Sequence, residues 1–201
     1  MTARRRWILA LVVLVGAGCT TTVIPPKHVA DPVNVYLTDY GRHSSILLRD
    51  PQTNLLKEYA FGDWNWFAVN QNTSGDAIEA LLFSPGSTLG RRHIDAADSA
   101  RDVKHKTGAY TVQSFSASRE RVNHLLARLD GEFNSHLETI TYNALMQFWF
   151  VRTHEPYSAW HNCNHLTTRW LHRLGCQTRG LGAFSKFRVA NDARGPATRR
   201  G

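Results

Sequence analysis

Cysteine is scarce in this 201-residue chain: three residues, too few for the disulfide lattice that props up small secreted scaffolds. Long apolar runs are missing too, since no stretch reaches the ~18 residues a membrane-spanning helix needs. No internal repeat is visible, and neither an HExxH nor a CxxC pair is present. Acidic residues are in deficit, 16 against 24 basic, for a formal net charge of +8. What is present is ordinary for a folded protein: 42% apolar and 20% charged residues. That excludes a disordered polymer, and the length suits one domain with a sizeable core.

The first residues read as an export signal. Arg4, Arg5 and Arg6 form a basic start, Ile8 to Val15 an uncharged apolar run, and Gly16, Ala17 and Gly18 a small-residue exit. Cys19 follows directly, so the segment resembles a bacterial lipoprotein signal, with Gly16 where an aliphatic residue is more usual. That resemblance implies cleavage after residue 18, a lipid anchor on Cys19, and localisation in the bacterial cell envelope. By resemblance to Gram-negative lipoproteins, Thr20 rather than Asp after the cysteine favours the outer membrane, facing the periplasm, over the cytoplasmic membrane. Loss of residues 1–18 removes the three arginines and lowers the formal charge from +8 to about +5. The remaining basic residues, such as Arg91–Arg92 and Arg101/Lys104/Lys106, are dispersed. No nucleic-acid-binding motif stands out, so no nucleic acid partner is expected, and the charge reads as solubility near an anionic envelope.

Residues 19–32, Thr- and Pro-rich, read as a tether, 33–189 as one domain, and 190–201 as a flexible basic tail. Within the domain, Val33, Val35 and Leu37 alternate with polar positions as in a strand. Ser45–Arg49 and Leu55–Phe61 read as a hairpin around the turn residues Asp50 to Asn54. Residues 87–94 and 109–115 read as further strands, and Ser74 as the cap of a short helix through Phe83. Ser116 or Ser118 opens an amphipathic helix whose stripe is Val122, Leu125, Leu126, Leu129 and Phe133. The aromatic-rich segment Tyr142 to Val151 reads as helical. A last helix runs from Asn162 to Leu174, buries Leu166, Trp170, Leu171 and Leu174, and ends at Gly175. Strands followed by helices predict an α+β fold, an antiparallel sheet packed against helices.

Cys163 is the most informative position. Asn162 is a good helix cap, which puts Cys163 in the first turn, where the macrodipole and free N–H groups favour a thiolate. Thiol catalysis needs in addition a base across a cleft and donors for an oxyanion. His43, at the mouth of the second strand, is the candidate base. If the hairpin is symmetric about Gln52, position 43 faces position 61, and Asp63 lies within reach to orient the imidazole. Glu58 is the reserve. The Cys163 backbone N–H, helped by Tyr36 or Tyr40, would hold the oxyanion, and Asn162 counts with the tyrosines as an oxyanion or substrate residue. Cys176, just past Gly175, reads as packing, and Trp64 and Trp66 as core or cleft rim.

The residues Tyr36-Leu37, Gly41-Arg42-His43, Phe61-Gly62-Asp63, Tyr157-Ser158 and Asn162-Cys163-Asn164 together resemble the DUF2459 family of bacterial proteins. More distantly the chain is similar to circularly permuted NlpC/P60 papain-like hydrolases, in which the His strand precedes the Cys helix. The likeness covers roughly residues 33–180. It implies Cys163 as nucleophile, His43 as general base, and Asp63 or Glu58 as third group. The chain departs from the pattern at Arg42, His165 and Leu166, which bears on substrate choice.

Three functions stay open. The first is an envelope thiol hydrolase cleaving an amide or ester, with peptidoglycan stem peptides the favoured substrate. The second is a non-catalytic envelope binding or scaffolding lipoprotein. The third is a zinc site at His161, Cys163, His165 and His172, disfavoured because His172 lies more than two helical turns from Cys163. No cofactor and no bound metal are expected.

Overall fold

Period-two alternation organises the whole domain. The computed structural model describes residues 20–41, 43–69, 86–155, 157, 162–180 and 186–190. Its main sheet holds seven strands, with β1 in a smaller sheet described below: β2 (Pro32–Asp39), β3 (Ser44–Arg49), β4 (Leu56–Asp63), β5 (Ser87–Ile94), β6 (Thr111–Ser118), β7 (Thr141–Asn143) and β8 (Phe148–Thr153). They run in the order β6-β2-β3-β4-β5-β8-β7, every neighbouring pair antiparallel. The α+β class with a mainly antiparallel sheet is therefore as expected.

One face of the sheet carries the main core. Val35 and Leu37 of β2, Ile46 and Leu48 of β3, and Tyr59 and Phe61 of β4 point to it, each two residues apart. The helices α3 (Arg119–Asn134) and α4 (Cys163–Arg173) cover that face. Ser118 caps α3 by accepting from the Arg121 N–H, and the predicted stripe from Val122 to Phe133 is buried throughout. Each such side chain contributes roughly 1.5–3 kcal/mol of burial. Gly175, at φ +88°, ends α4 in the left-handed conformation that glycine adopts at least cost.

The other face is polar at its centre and apolar at both ends. Helix α2 (Ala100–Thr107), which the sequence reading did not anticipate, covers one end by packing Val103 with Tyr36, Leu47 and Leu56. The single turn α1 (Trp64–Phe67) packs Trp64 and Phe67 with Ala60, Phe148 and Phe150 at the other. Phe67 lies so close over Gly62 that a Cβ there would enter its ring, so the approach requires glycine.

Three expectations need correction. The segment Tyr142 to Val151 is a β-hairpin, because Phe148 and Phe150 alternate with exposed Trp149, and Gln147 turns the chain at φ +57°. Residues 20–24 are not tether: β1 (Thr20–Ile24) pairs with β9 (Gln177–Arg179) and β10 (Lys186–Val189) in a three-stranded sheet, with Val23 fully buried. The paired arginines are not surface charge alone, since Arg92 is buried against Glu58 and Arg91 bonds Asp130. The helix expected from Ser74, the signal segment with Cys19, Arg42, and the tail beyond residue 190 lie outside the described residues. Among the described residues no helix is long and apolar enough to cross a membrane.

Candidate functional site

Cys163 sits where the sequence places it, on the first residue of α4, behind Asn162. The Asn162 side chain accepts from the N–H groups of Asn164 (3.0 Å) and His165 (3.4 Å). The thiol is 9% exposed and donates weakly to Asn164 Oδ1 at 3.9 Å. Burial pushes its pKa up to about 11, against the backbone N–H groups of Asn164, Ser44 and Cys163 itself, which favour the thiolate. The Ser44 contact matters for position. It lays the sulfur against the peptide that joins Ser44 to His43.

Asp63 shares this side of the sheet. It is buried and caps α1, accepting from the Trp66 N–H at 2.7 Å. Tyr157 lies between the two groups. Burial raises its hydroxyl pKa above the ordinary value, and the neighbouring Cys163, wherever it ionises, and Asp63 push it the same way. Tyr157 carries no local signal of a role in the sequence beyond its place in the family resemblance; only the fold brings it here, packed on Phe61 at 6.0 Å between ring centres.

The imidazole is elsewhere. His43 faces Phe67 (4.8 Å between ring centres) and Tyr40 (6.4 Å), on the face opposite α4. The reason is a single residue of register. Strands β3 and β4 pair Ser45 with Ala60 and Ile46 with Tyr59, so the hairpin is centred between Gln52 and Thr53. Position 43 thus falls in line with 62 rather than 61. In an antiparallel pair a one-residue slip exchanges faces, which puts Asp63 with the thiol and Glu58 with the imidazole. The expected orienting contact of Asp63 on His43 is absent from this arrangement. Tyr36 and Tyr40 are also on the His43 face. Tyr36 is fully buried and donates to the Ala97 carbonyl at 3.3 Å, so neither tyrosine stands beside the sulfur as expected.

Glu58 gathers the polar centre of that second face. It is fully buried, receives Arg92 Nε at 2.7 Å and Tyr40 Oη at 2.7 Å, and also bonds Ser45 and Thr38. Arg92 Nη2 reaches Tyr40 Oη at 2.7 Å, Nη1 the Met146 carbonyl at 3.2 Å, and the guanidinium lies 4.6 Å over Phe148. Nothing in the sequence signals this pair, because Arg92 and Glu58 are 34 residues apart and meet only as cross-strand partners. Beside them His43 lines a cavity of about 290 Å³. Burial, then the Arg92 charge, holds its pKa down to about 4, so the ring is neutral.

For the zinc alternative, His165 Nδ1 lies 3.2 Å from Asn162 Oδ1, and His172 Nε2 lies 2.9 Å from Thr178 Oγ1. No cluster of three metal-ligating side chains occurs among the described residues, and His161 is outside them. Compared with known proteins, the chain matches no family model, no curated protein and no solved structure.

Proposed function

We propose that the chain is an envelope lipoprotein acting as a thiol hydrolase on an amide or ester, a wall stem peptide before other substrates, in the manner of permuted NlpC/P60 enzymes. One observation carries the reading: Cys163 opens a helix with three backbone N–H groups on its sulfur, and one of them belongs to the residue bonded to His43. A lone core cysteine has no need of such donors, whereas a thiolate or thioester sulfur does.

In this reading the His43 ring turns about its side-chain torsions from the cavity to the sulfur and takes the thiol proton. The thiolate attacks the carbonyl carbon, and the leaving amine or alkoxide departs with that proton. Water then gives its proton to the imidazole, attacks the thioester carbonyl and restores the thiol. Should Cys19 carry the lipid, the anchor lies one residue from the folded sheet, since Thr20 already pairs with Lys186. The domain would then sit close to the membrane surface rather than at the end of a tether.

The test is release of soluble fragments from purified peptidoglycan by the full-length protein. Wild type should release them, Cys163→Ala should not, and His43→Gln should be slower by about 10²–10⁴-fold, the usual share of a general base. Equal release by wild type and Cys163→Ala overturns the reading for wall peptide. The second reading, a non-catalytic envelope binding module, is favoured by the imidazole turned away and the thiol pushed up to about 11. It predicts full function of Cys163→Ala in cells.

A further inference from the structure

Among the buried polar groups described around the His43 cavity, the imidazole alone lacks a partner, and Gln147, also on the lining, is exposed. Glu58 and Arg92 neutralise each other, and Tyr40 Oη donates to Glu58 while accepting from Arg92. Phe67, Phe148, Phe150 and Met146 supply an apolar, largely aromatic wall. Both ring nitrogens of His43 are buried, and among the described residues neither has a hydrogen-bond partner. Leaving such groups unsatisfied costs about 1–3 kcal/mol each. A neutral imidazole presents one N–H donor and one lone pair on separate nitrogens.

We propose that this cavity is a binding site for a small uncharged molecule that carries a hydrogen-bond donor and acceptor, such as an amide, on an apolar frame. The walls select an apolar or aromatic body. The satisfied Glu58–Arg92 pair leaves no net charge for an ionic ligand, and a buried carboxylate would pay a desolvation penalty without a free cation. The size, about 290 Å³, stands at the small end of ligand pockets and has room for a molecule of one or two rings. The site is on the sheet face opposite Cys163 and shares only His43 with the proposed thiol chemistry, whose ring it would hold in the cavity.

The test uses benzamide, which joins a flat ring to one neutral amide, with toluene and benzoate as comparisons. Each is titrated into full-length ¹⁵N-labelled protein while the imidazole nitrogen resonances are followed, the His43 signals being those that vanish in His43→Gln. Benzamide should shift them saturably. Toluene, lacking the amide, should bind about fivefold more weakly, the net worth of one neutral hydrogen bond, and benzoate more weakly than benzamide. Ala60→Leu, which fills the cavity, should abolish the shift. Should that variant not fold, Leu145→Asp serves in its place, because Leu145 is 78% exposed beside the cavity and its replacement leaves the core intact. It should weaken benzamide several-fold. No saturable shift of His43 by benzamide, equal affinity for all three compounds, or indifference to the cavity variants overturns the proposal. The titration reads binding alone, so its failure leaves the hydrolase reading standing, and loss of hydrolysis leaves this site standing.

Discussion

The two faces of the central sheet are built from the same strands and do opposite things. The face under α3 and α4 is mainly apolar, and the two thiols admitted to it, Cys163 and Cys176, are both driven towards their uncharged form by burial. The other face takes in a full ion pair, Glu58–Arg92, and surrounds it with hydroxyls. The contrast shows that burial alone does not decide whether a charge survives inside. Glu58 keeps its partners because Thr38, Tyr40, Ser45 and Arg92 all point to that face, whereas Cys163 has only backbone N–H groups and no cation.

The sharpest way to break the contrast is to remove one member of the ion pair. Glu58→Gln or Arg92→Met should each destabilise the protein by about 3–5 kcal/mol, because the remaining charge is left buried. The double variant should recover most of that loss in denaturant unfolding. Similar instability of the double and single variants would mean that the pair holds more of the fold together than its mutual compensation.

Acid should find the same face next. His43 titrates near 4 in the folded protein but near 6.5 when unfolded. Its folded-state value is depressed, so the unfolded chain binds the extra proton first. Stability from this group is therefore intact above pH 6.5 and declines as pH falls towards 4, by up to about 3 kcal/mol. His43→Leu should flatten the pH dependence of unfolding in that window. An unchanged slope would place the imidazole in contact with solvent.

The smallest effect belongs to the helix face. Asn162→Ala removes the cap of α4 and should cost about 1 kcal/mol. It should also speed iodoacetamide labelling of Cys163, which in wild type should be slow at neutral pH and rise towards pH 11. Fast labelling of the wild-type protein at pH 7 would show a low-pKa thiolate and shift the comparison towards catalysis.

Much of this was legible from local pattern. The strands around Leu37, Leu47 and Tyr59, the stripe of α3, and the Asn162 cap with Gly175 at the other end of α4 are written in spacings of two, three and four residues. The 142–151 hairpin was not, because a short aromatic run has no period that separates helix from strand. Helix α2 was missed because it is mostly charged and buries little beyond Val103 and Thr107. The strand Thr20–Ile24 was read as tether because its partners lie more than 150 residues further along the chain.

What the sequence determined by itself was which residues could carry chemistry and which elements hold them: a cysteine at a helix start, a histidine at a strand mouth, a carboxylate on the next strand. What only the tertiary structure decided was which of these groups meet. The cross-strand register is fixed by how Asp50 to Asn54 close the hairpin, with Asn54 at φ +58°, and by which residues the core must bury. A shift of one position there exchanges the partners of His43 and Cys163, because side chains alternate along a strand.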